Sequence, residues 1–252
     1  MSELIDFAEA MGPFLEPAPG RLRRVADGYV LSADLGQTWA QVERIRLRED
    51  GLADAVADVD TFMRETDTTR ASWWLTERST PSEEALLGAG LQRDEADYRH
   101  AAMVLTVEPP PFEGVEVRPV ETFEEFVESR RLALDAFANP HQRNPTDEEL
   151  AAEWERQTDP IFAAWLDGRM ASVGRAIYTR AGGYLMGGST ATWARGRGAY
   201  RAVVRARWDE AVRRDTPALA VGAGPMSRPI LERLGFEQVL QFRRLESVLS
   251  DS

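Results

Sequence analysis

From residue 115 onward, apolar and polar positions fall into alternating strand and helix patterns. Residues 115–120 alternate as a strand, and 121–138 place Phe123, Phe126, Val127 and Leu134 at helical spacing. Thr146 stands three residues before Glu149, the spacing of a capping box that opens a second helix. Residues 161–166 are apolar throughout and predict a strand, and Asp167-Gly168 marks a hairpin turn. Strands over 170–179 and 184–192 follow, joined around Gly182-Gly183. Residues 200–214 return to helical spacing through Val204, Trp208 and Ala211. A short strand at 218–221, a short helix at 227–234 stopped by Gly235, and a strand at 236–245 complete the series.

The first half has a similar rhythm. A shift of 145 positions lays Ser82 on Ser227, Leu86 on Leu231 and Gly90-Leu91 on Gly235-Phe236. Strand-like 29–33 and 38–47, helix-like 52–64 and strand-like 72–75 then fall on or near the corresponding elements of the second half. Agreement in the order and length of elements predicts a structural duplication. Between the halves stand Pro109-Pro110-Pro111, which continue neither a helix nor a central strand. The sequence therefore divides into residues 1–108, a Pro-rich linker at 109–114, and residues 115–252.

Composition narrows the chemistry. Of 252 residues, 30 are Lys or Arg and 42 are Asp or Glu, a formal net charge of −12. All the basic residues are Arg, a usage that fits a G+C-rich genome. Without Lys there is no Walker phosphate loop and no Schiff base. Without Cys there is no thiol nucleophile, disulfide or thiolate metal site. The two histidines, His100 and His141, do not suffice for a multi-His metal centre, so no metal is expected. The acidity argues against nucleic-acid binding, and no apolar run reaches membrane-span length. Glu3, Asp6 and Glu9 precede any basic residue, unlike a signal peptide, so a soluble cytoplasmic protein is expected.

The segment richest in candidate chemistry runs from Ser189 to Tyr200, where a strand passes through Arg195-Gly196-Arg197-Gly198 into an amphipathic helix. A helix's first turn offers unpaired N–H groups and the positive dipole end; glycines let an anion approach, and guanidinium groups add charge. This can hold a pyrophosphate, or it can be a basic surface turn. Arg195-Gly196-Arg197-Gly198 resembles the Arg/Gln-x-x-Gly-x-Gly/Ala signature of the GNAT superfamily of acyl-CoA-dependent N-acetyltransferases. Downstream, the run from Ser227 through Leu234-Gly235-Phe236 resembles that family's fourth helix and closing Leu-Gly-Phe.

The resemblance implies an α/β (α+β) fold of two GNAT-like lobes, each a mixed, mostly antiparallel sheet flanked by helices. It implies acetyl-CoA as co-substrate, with pyrophosphate on the amides of Arg195, Gly196, Arg197, Gly198, Ala199 and Tyr200. Pantetheine would lie in a gap between two splayed strands, bonded by Gly188, Ser189 and Thr190, and Ser227 occupies a position that often contacts the cofactor. A primary amine of a small acceptor would attack the thioester directly. The chain departs from the pattern at Tyr200, where a small residue is usual, and at Leu231, where a Tyr often serves as general acid. Ser227 and Tyr200 are then candidate proton donors, and Glu148, Glu149 and Glu153 candidate bases. Loss of that Tyr raises the alternative of an acyl-CoA-binding sensor with little turnover.

Under the shift, the phosphate loop falls on Asp50-Gly51-Leu52-Ala53-Asp54-Ala55, with carboxylates where arginines would be. The first half is thus similar to the degenerate N-terminal lobe of tandem-GNAT proteins. It either shapes an acceptor cleft or serves as a structural partner, and a monomer or homodimer is expected. Two rivals fail. Gly187-Gly188-Ser189 as a nucleophile elbow needs a later His, yet both His precede it. Gly222-Ala223-Gly224 lacks the third Gly and the acidic residue of a dinucleotide fingerprint.

Overall fold

The structure, a computed structural model, describes residues 1–16, 20–34, 38–93, 99–137 and 144–249. Its elements in chain order are α1 (Ser2–Glu9), β1 (Arg21–Ala26), β2 (Tyr29–Asp34), β3 (Trp39–Glu43), α2 (Leu52–Glu65), β4 (Arg70–Leu75), α3 (Glu83–Gly88), β5 (Gln92–Arg93) and β6 (Arg99–Leu105). They continue with β7 (Glu116–Pro119), α4 (Phe123–Phe137), α5 (Asp147–Glu155), β8 (Ile161–Leu166), β9 (Arg169–Thr179), β10 (Gly182–Thr190), α6 (Ala199–Arg213), β11 (Leu219–Ala223), α7 (Arg228–Arg233) and β12 (Glu237–Val248).

Two units emerge: residues 1–103 with 222–228 and 238–252, and residues 104–221 with 229–237. This differs from the linear division at 108 and 115, because the C-terminal strand joins the first unit. Strand β4 is buried at four of its six positions and needs a neighbour on each edge. It pairs in parallel with β3 on one side and antiparallel with β12 on the other, where Leu245 faces Trp73. The Trp73 indole donates to Ser247 Oγ at 3.0 Å, and Leu245 packs with Leu31, Val42, Val59, Phe62 and Trp73 in the unit's core. The strand order there is β1-β2-β3-β4-β12-β6. The α1 and β1 elements were not anticipated; the short amphipathic run before Pro13 and the exposed, Arg-rich β1 carry weak periodic signals.

The first unit also buries carboxylates. Glu9 at the end of α1 bonds Arg46 Nη2 at 2.6 Å, Arg78 Nη1 at 2.9 Å and the Thr76 hydroxyl at 2.8 Å. Among the described residues, Glu43 has the Gly12 N–H, at 3.2 Å, as the one hydrogen-bond donor to stabilise its ionised form. Burial, with the Glu9 charge adding to it, pushes the Glu43 carboxyl up to about 7 from an ordinary 4.5. A carboxyl raised in the folded state costs no stability below the unfolded value, and stability falls as pH rises from about 4.5 to about 7. Glu43→Gln, neutral at every pH, is therefore expected to be more stable than the parent at pH 8 by roughly 3 kcal/mol. The advantage should vanish near pH 4. Thermal melts at the two pH values check this, and an equal shift at both would refute it.

The second unit has strand order β11-β10-β9-β8-β7. The continuous apolar run of β8 follows from coverage of both sheet faces. Ile161 and Ala163 pack with Val173, Phe126 and Leu150 beneath α4 and α5. Phe162, Ala164 and Leu166 pack with Ala199 and Val203 of α6. The Asp167-Gly168 turn has φ of 54° and 71°, as a tight hairpin between β8 and β9 requires. The Pro-rich segment is not a free linker but is fastened along α6. Arg205 donates to the Pro109 carbonyl at 2.9 Å and pairs with Glu108 at 2.6 Å, and the Arg201 guanidinium lies 4.6 Å from the Phe112 ring centroid.

Candidate functional site

The site is built on β10 and the start of α6. Strand β10 pairs antiparallel with β9 until Met186 meets Arg175, then resumes with Ser189 opposite Val173. Gly187 and Gly188 stand against the single Gly174, one residue too many, and form a bulge, with Gly187 at φ 58°. Beyond it the Ser172 hydroxyl donates to the Ser189 carbonyl at 2.7 Å and shares a 2.9 Å hydrogen bond with the Thr190 hydroxyl. Ser189 is itself buried, so this end of β10 is held firmly.

On its other edge β10 pairs in parallel with β11 only at Gly183↔Leu219 and Tyr184↔Ala220. After Tyr184 the strand runs on to Thr190 without that partner, leaving the backbone edge around Gly188, Ser189 and Thr190 available for a ligand. The corresponding strands of the first unit behave differently. There β3 and β4 stay paired from Trp39↔Arg70 to Val42↔Trp73, so no such edge opens.

A short 3-10 turn, Thr192–Ala194, carries β10 into the phosphate-loop candidate. Gly196 and Gly198 both adopt left-handed backbone, with φ of 76° and 87°, and Gly198 is the N-cap of α6 without a side-chain cap. The amides of Gly196, Gly198, Ala199, Tyr200 and Arg201 have no hydrogen-bond partner among the described residues. Several unpaired donors at one helix start suit an anion with several oxygens. Arg195 and Arg197 are exposed beside them. Arg197 bonds the exposed Asp167 at 2.9 Å, a surface pair weak enough to yield to a better anion. Exposed Trp193 is flanked by Arg169 at 4.4 Å and Arg197 at 5.8 Å from its ring centroid.

Tyr200, bulky where a small residue is usual, fits because Gly188 lacks a side chain. A Cβ on Gly188 would lie 2.8 Å from the Tyr200 ring. Burial, its largest cause, pushes the Tyr200 phenol up and keeps it protonated at neutral pH. Behind it lies Arg207, fully buried, with Nε donating to Val203 O and Nη1 to Arg175 O, each at 3.2 Å. Its guanidinium occupies the space that Gly174 leaves empty, 2.9 Å from where a Cβ would be. The sequence signal for Arg207 was a charged residue four positions after Val203 on the apolar stripe of α6.

Phe112 was also missed. Its ring packs on Gly198, 1.7 Å from where a Cβ would stand, and only a glycine fits there. No sequence rule links a residue after three prolines to a loop more than eighty positions on.

Of the other expected residues, Ser227 lies in the first unit, where its amide and hydroxyl both bond Gly224 O, at 3.1 and 3.3 Å. Leu231 is fully buried in α7 and serves as core. Among the three glutamates, Glu149 is spent in the capping box with Thr146, and Glu148 is exposed. Glu153 borders a cavity of about 210 Å³ between α4, α5 and the β10 bulge. His100 is a strand residue of the first unit, lowered to about 4 mainly by burial and so neutral at physiological pH. His141 lies outside the described residues. Among the described residues no group of His, Asp and Glu could hold a metal, and no helix is long and apolar enough to cross a membrane.

No family model matches the chain, and no curated protein matches it. Solved structures do. A GCN5-related N-acetyltransferase from Kribbella flavida aligns over 90% of each chain with a TM-score of 0.66 at 16% identity. A tandem GNAT protein from the clavulanic acid biosynthesis pathway aligns over 94% of this chain and 86% of its own, with a TM-score of 0.62 and 15% identity. A GCN5-related N-acetyltransferase from Sphaerobacter thermophilus covers 91% and 83%, with a TM-score of 0.63 and 13% identity. At such identities likeness speaks to architecture, and the chain has the fold of the GCN5-related N-acetyltransferases.

Proposed function

We propose that the protein is an N-acetyltransferase that moves an acetyl group from acetyl-CoA to the primary amine of a small acceptor. The observation that carries this is the combination of an open β10 edge with unpaired amides at the start of α6, both in the second unit. Gly196, Gly198, Ala199, Tyr200, Arg195 and Arg197 are the donors for pyrophosphate. Residues 188–190 present an extended backbone to the pantetheine amides. The donor set fits coenzyme A in chemistry as well as position: amides and guanidinium groups face anions, and a strand edge faces an amide-bearing chain.

The reaction needs little covalent help from the protein. The neutral amine attacks the thioester carbonyl carbon, the C–S bond breaks, the ammonium proton is lost, and the departing sulfur gains one. Glu153, at the cavity beside the bulge, is the candidate acceptor of the amine proton. Tyr200 is a hydroxyl that keeps its proton and lies on Gly188, replacing the Tyr that Leu231 does not supply. The first unit takes no cofactor in this reading. Its matching strands stay paired, and Glu49, Asp50 and Asp54 surround the start of α2, repelling phosphate.

The buried Leu231 favours a second reading, an acyl-CoA sensor without turnover. Calorimetry with coenzyme A, paired with an assay of free thiol released from acetyl-CoA in the presence of varied amines, separates the two. The expected result is one coenzyme A per chain and amine-dependent thiol release. Binding without release on any amine supports the sensor, and no binding refutes both.

A further inference from the structure

Arg207 is a costly residue to bury. Its side chain is fully enclosed, and among the described residues no carboxylate pairs with it. Two carbonyls accept from Nε and Nη1, while Nη2 has no settled partner among the described residues. Burial lowers the guanidinium from its usual value, but an arginine still holds its proton in a folded protein. A buried cation without a counter-charge disfavours the fold, and an apolar residue of similar volume would serve packing better. Two phenols face this one, Tyr200 more strongly than Tyr178, and the Tyr200 hydroxyl lies within reach of a hydrogen bond to it. The Tyr178 hydroxyl is engaged elsewhere, donating to the Arg207 carbonyl at 3.1 Å. The carboxylates that face Tyr178, Glu210 and Asp159, are held by Arg213 and Arg214.

Arg207 and Tyr200 converge on the bulge. The guanidinium stands over Gly174, the single β9 residue opposite Gly187 and Gly188. The Tyr200 hydroxyl lies 3.6 Å from where a Cβ on Gly188 would be, at the start of the open β10 edge. With pyrophosphate on the loop, a pantetheine arm running back from Thr190 to Gly188 brings its sulfur to this hydroxyl. We propose that Arg207 is a positioning residue that holds the Tyr200 phenol as proton donor to the departing sulfur and stabilises the phenolate left behind. The inference rests on the acetyl-transfer reading. In the step, the amine nitrogen bonds the carbonyl carbon, the C–S electron pair goes to sulfur, and sulfur takes the phenolic proton. The amine proton goes to Glu153 and passes through water to restore the phenol. Burial alone makes this phenol a poor acid, because it pushes the group up; the cation beside it acts the other way. A fixed charge in a site closed to water is worth more than the same charge in solvent.

Tyrosine labelled with carbon-13 at Cζ reads the phenol in the full chain, and Tyr200→Phe identifies its signal among the five tyrosines. Arg207→Met should move that signal and carry its alkaline titration to higher pH, and Arg207→Lys should restore part of both. Amine-dependent thiol release should lose roughly tenfold or more in kcat in Arg207→Met, at unchanged KM for acetyl-CoA. Once Tyr200→Phe has removed the hydroxyl, Arg207→Met should cost little further in kcat, as expected of two groups acting together. Circular dichroism melts show whether each variant is folded. Should Arg207→Met not fold, the slowly exchanging guanidinium nitrogens of Arg207, followed in Tyr200→Phe, read the pair without any change at Arg207. An unmoved partner signal, or an equal kcat loss with and without the Tyr200 hydroxyl, overturns the inference. A parent chain that binds coenzyme A without releasing thiol sinks the acetyl-transfer reading, and the labelled signals alone then decide whether Arg207 holds the phenol.

Discussion

Replacing Arg195 and Arg197 together by Glu is expected to abolish coenzyme A binding, a loss of at least a hundredfold in calorimetry. Five amides around the start of α6 have no partner among the described residues, and Gly198 caps the helix without a side chain. A pyrophosphate there would meet the positive end of the helix dipole and two exposed guanidinium groups. Each reversal removes an attraction and adds a repulsion, together about 1–2 kcal/mol near a protein surface. Two reversals sum to roughly 3 kcal/mol, or about a hundredfold. Arg195→Gln with Arg197→Gln removes charge without repulsion and should cost roughly tenfold, leaving the amides to bind. The affinity should also fall as salt rises, because the contacts are exposed. In the first unit, Asp50→Asn with Asp54→Asn should leave stoichiometry at one per chain. There β3 and β4 are closed along their pairing, so removing the acidic charge opens no slot. Unchanged affinity in the double Glu variant would place the cofactor elsewhere. A second site in the parent chain would overturn the assignment of the first unit.

Local pattern carried much of this architecture, and long-range contact carried the rest. Helix α2, the Thr146 capping box, the β8–β9 turn and the strand–loop–helix run into α6 follow from propensity, caps and periodicity, which reside in adjacent residues. The order of β2, β3, α2 and β4, with an antiparallel pair and then a parallel one, recurs in β9, β10, α6 and β11, as the sequence shift predicts. What the sequence left unread depends on partners distant in the chain. The destination of β12 is set by the open edge of β4, and a linear boundary at the prolines could not show it. The place of Tyr200 depends on the missing side chain of Gly188, and that of Arg207 on Gly174. Glycines in a strand read as weak points or bulges, and nothing local says which distant ring or guanidinium fills the space.

Gly198→Ala should be strongly destabilising, with Phe112 as the reason. Two costs combine. At φ 87° an L-residue is strained, by about 1–2 kcal/mol. The added Cβ would also stand 1.7 Å from a carbon of the Phe112 ring, so either the ring or the N-cap must move. Overpacking of this kind adds about 1–3 kcal/mol, so urea unfolding should show a loss of about 3 kcal/mol in total. Phe112→Ala supplies the control. In that background the steric cost disappears and the backbone cost remains, so Gly198→Ala should lose only about 1–2 kcal/mol. The two changes should therefore be non-additive by at least about 1 kcal/mol, as expected of residues in contact. The same cycle read by coenzyme A affinity tests the loop's role. If the αL turn at Gly198 aims the amides, Gly198→Ala should weaken binding even where Phe112→Ala has relieved the clash. Strict additivity in stability would mean the Phe112 ring does not rest on Gly198. Full recovery of binding in the double variant would mean the left-handed cap is dispensable, and that Gly198 is a glycine only to make room for the ring.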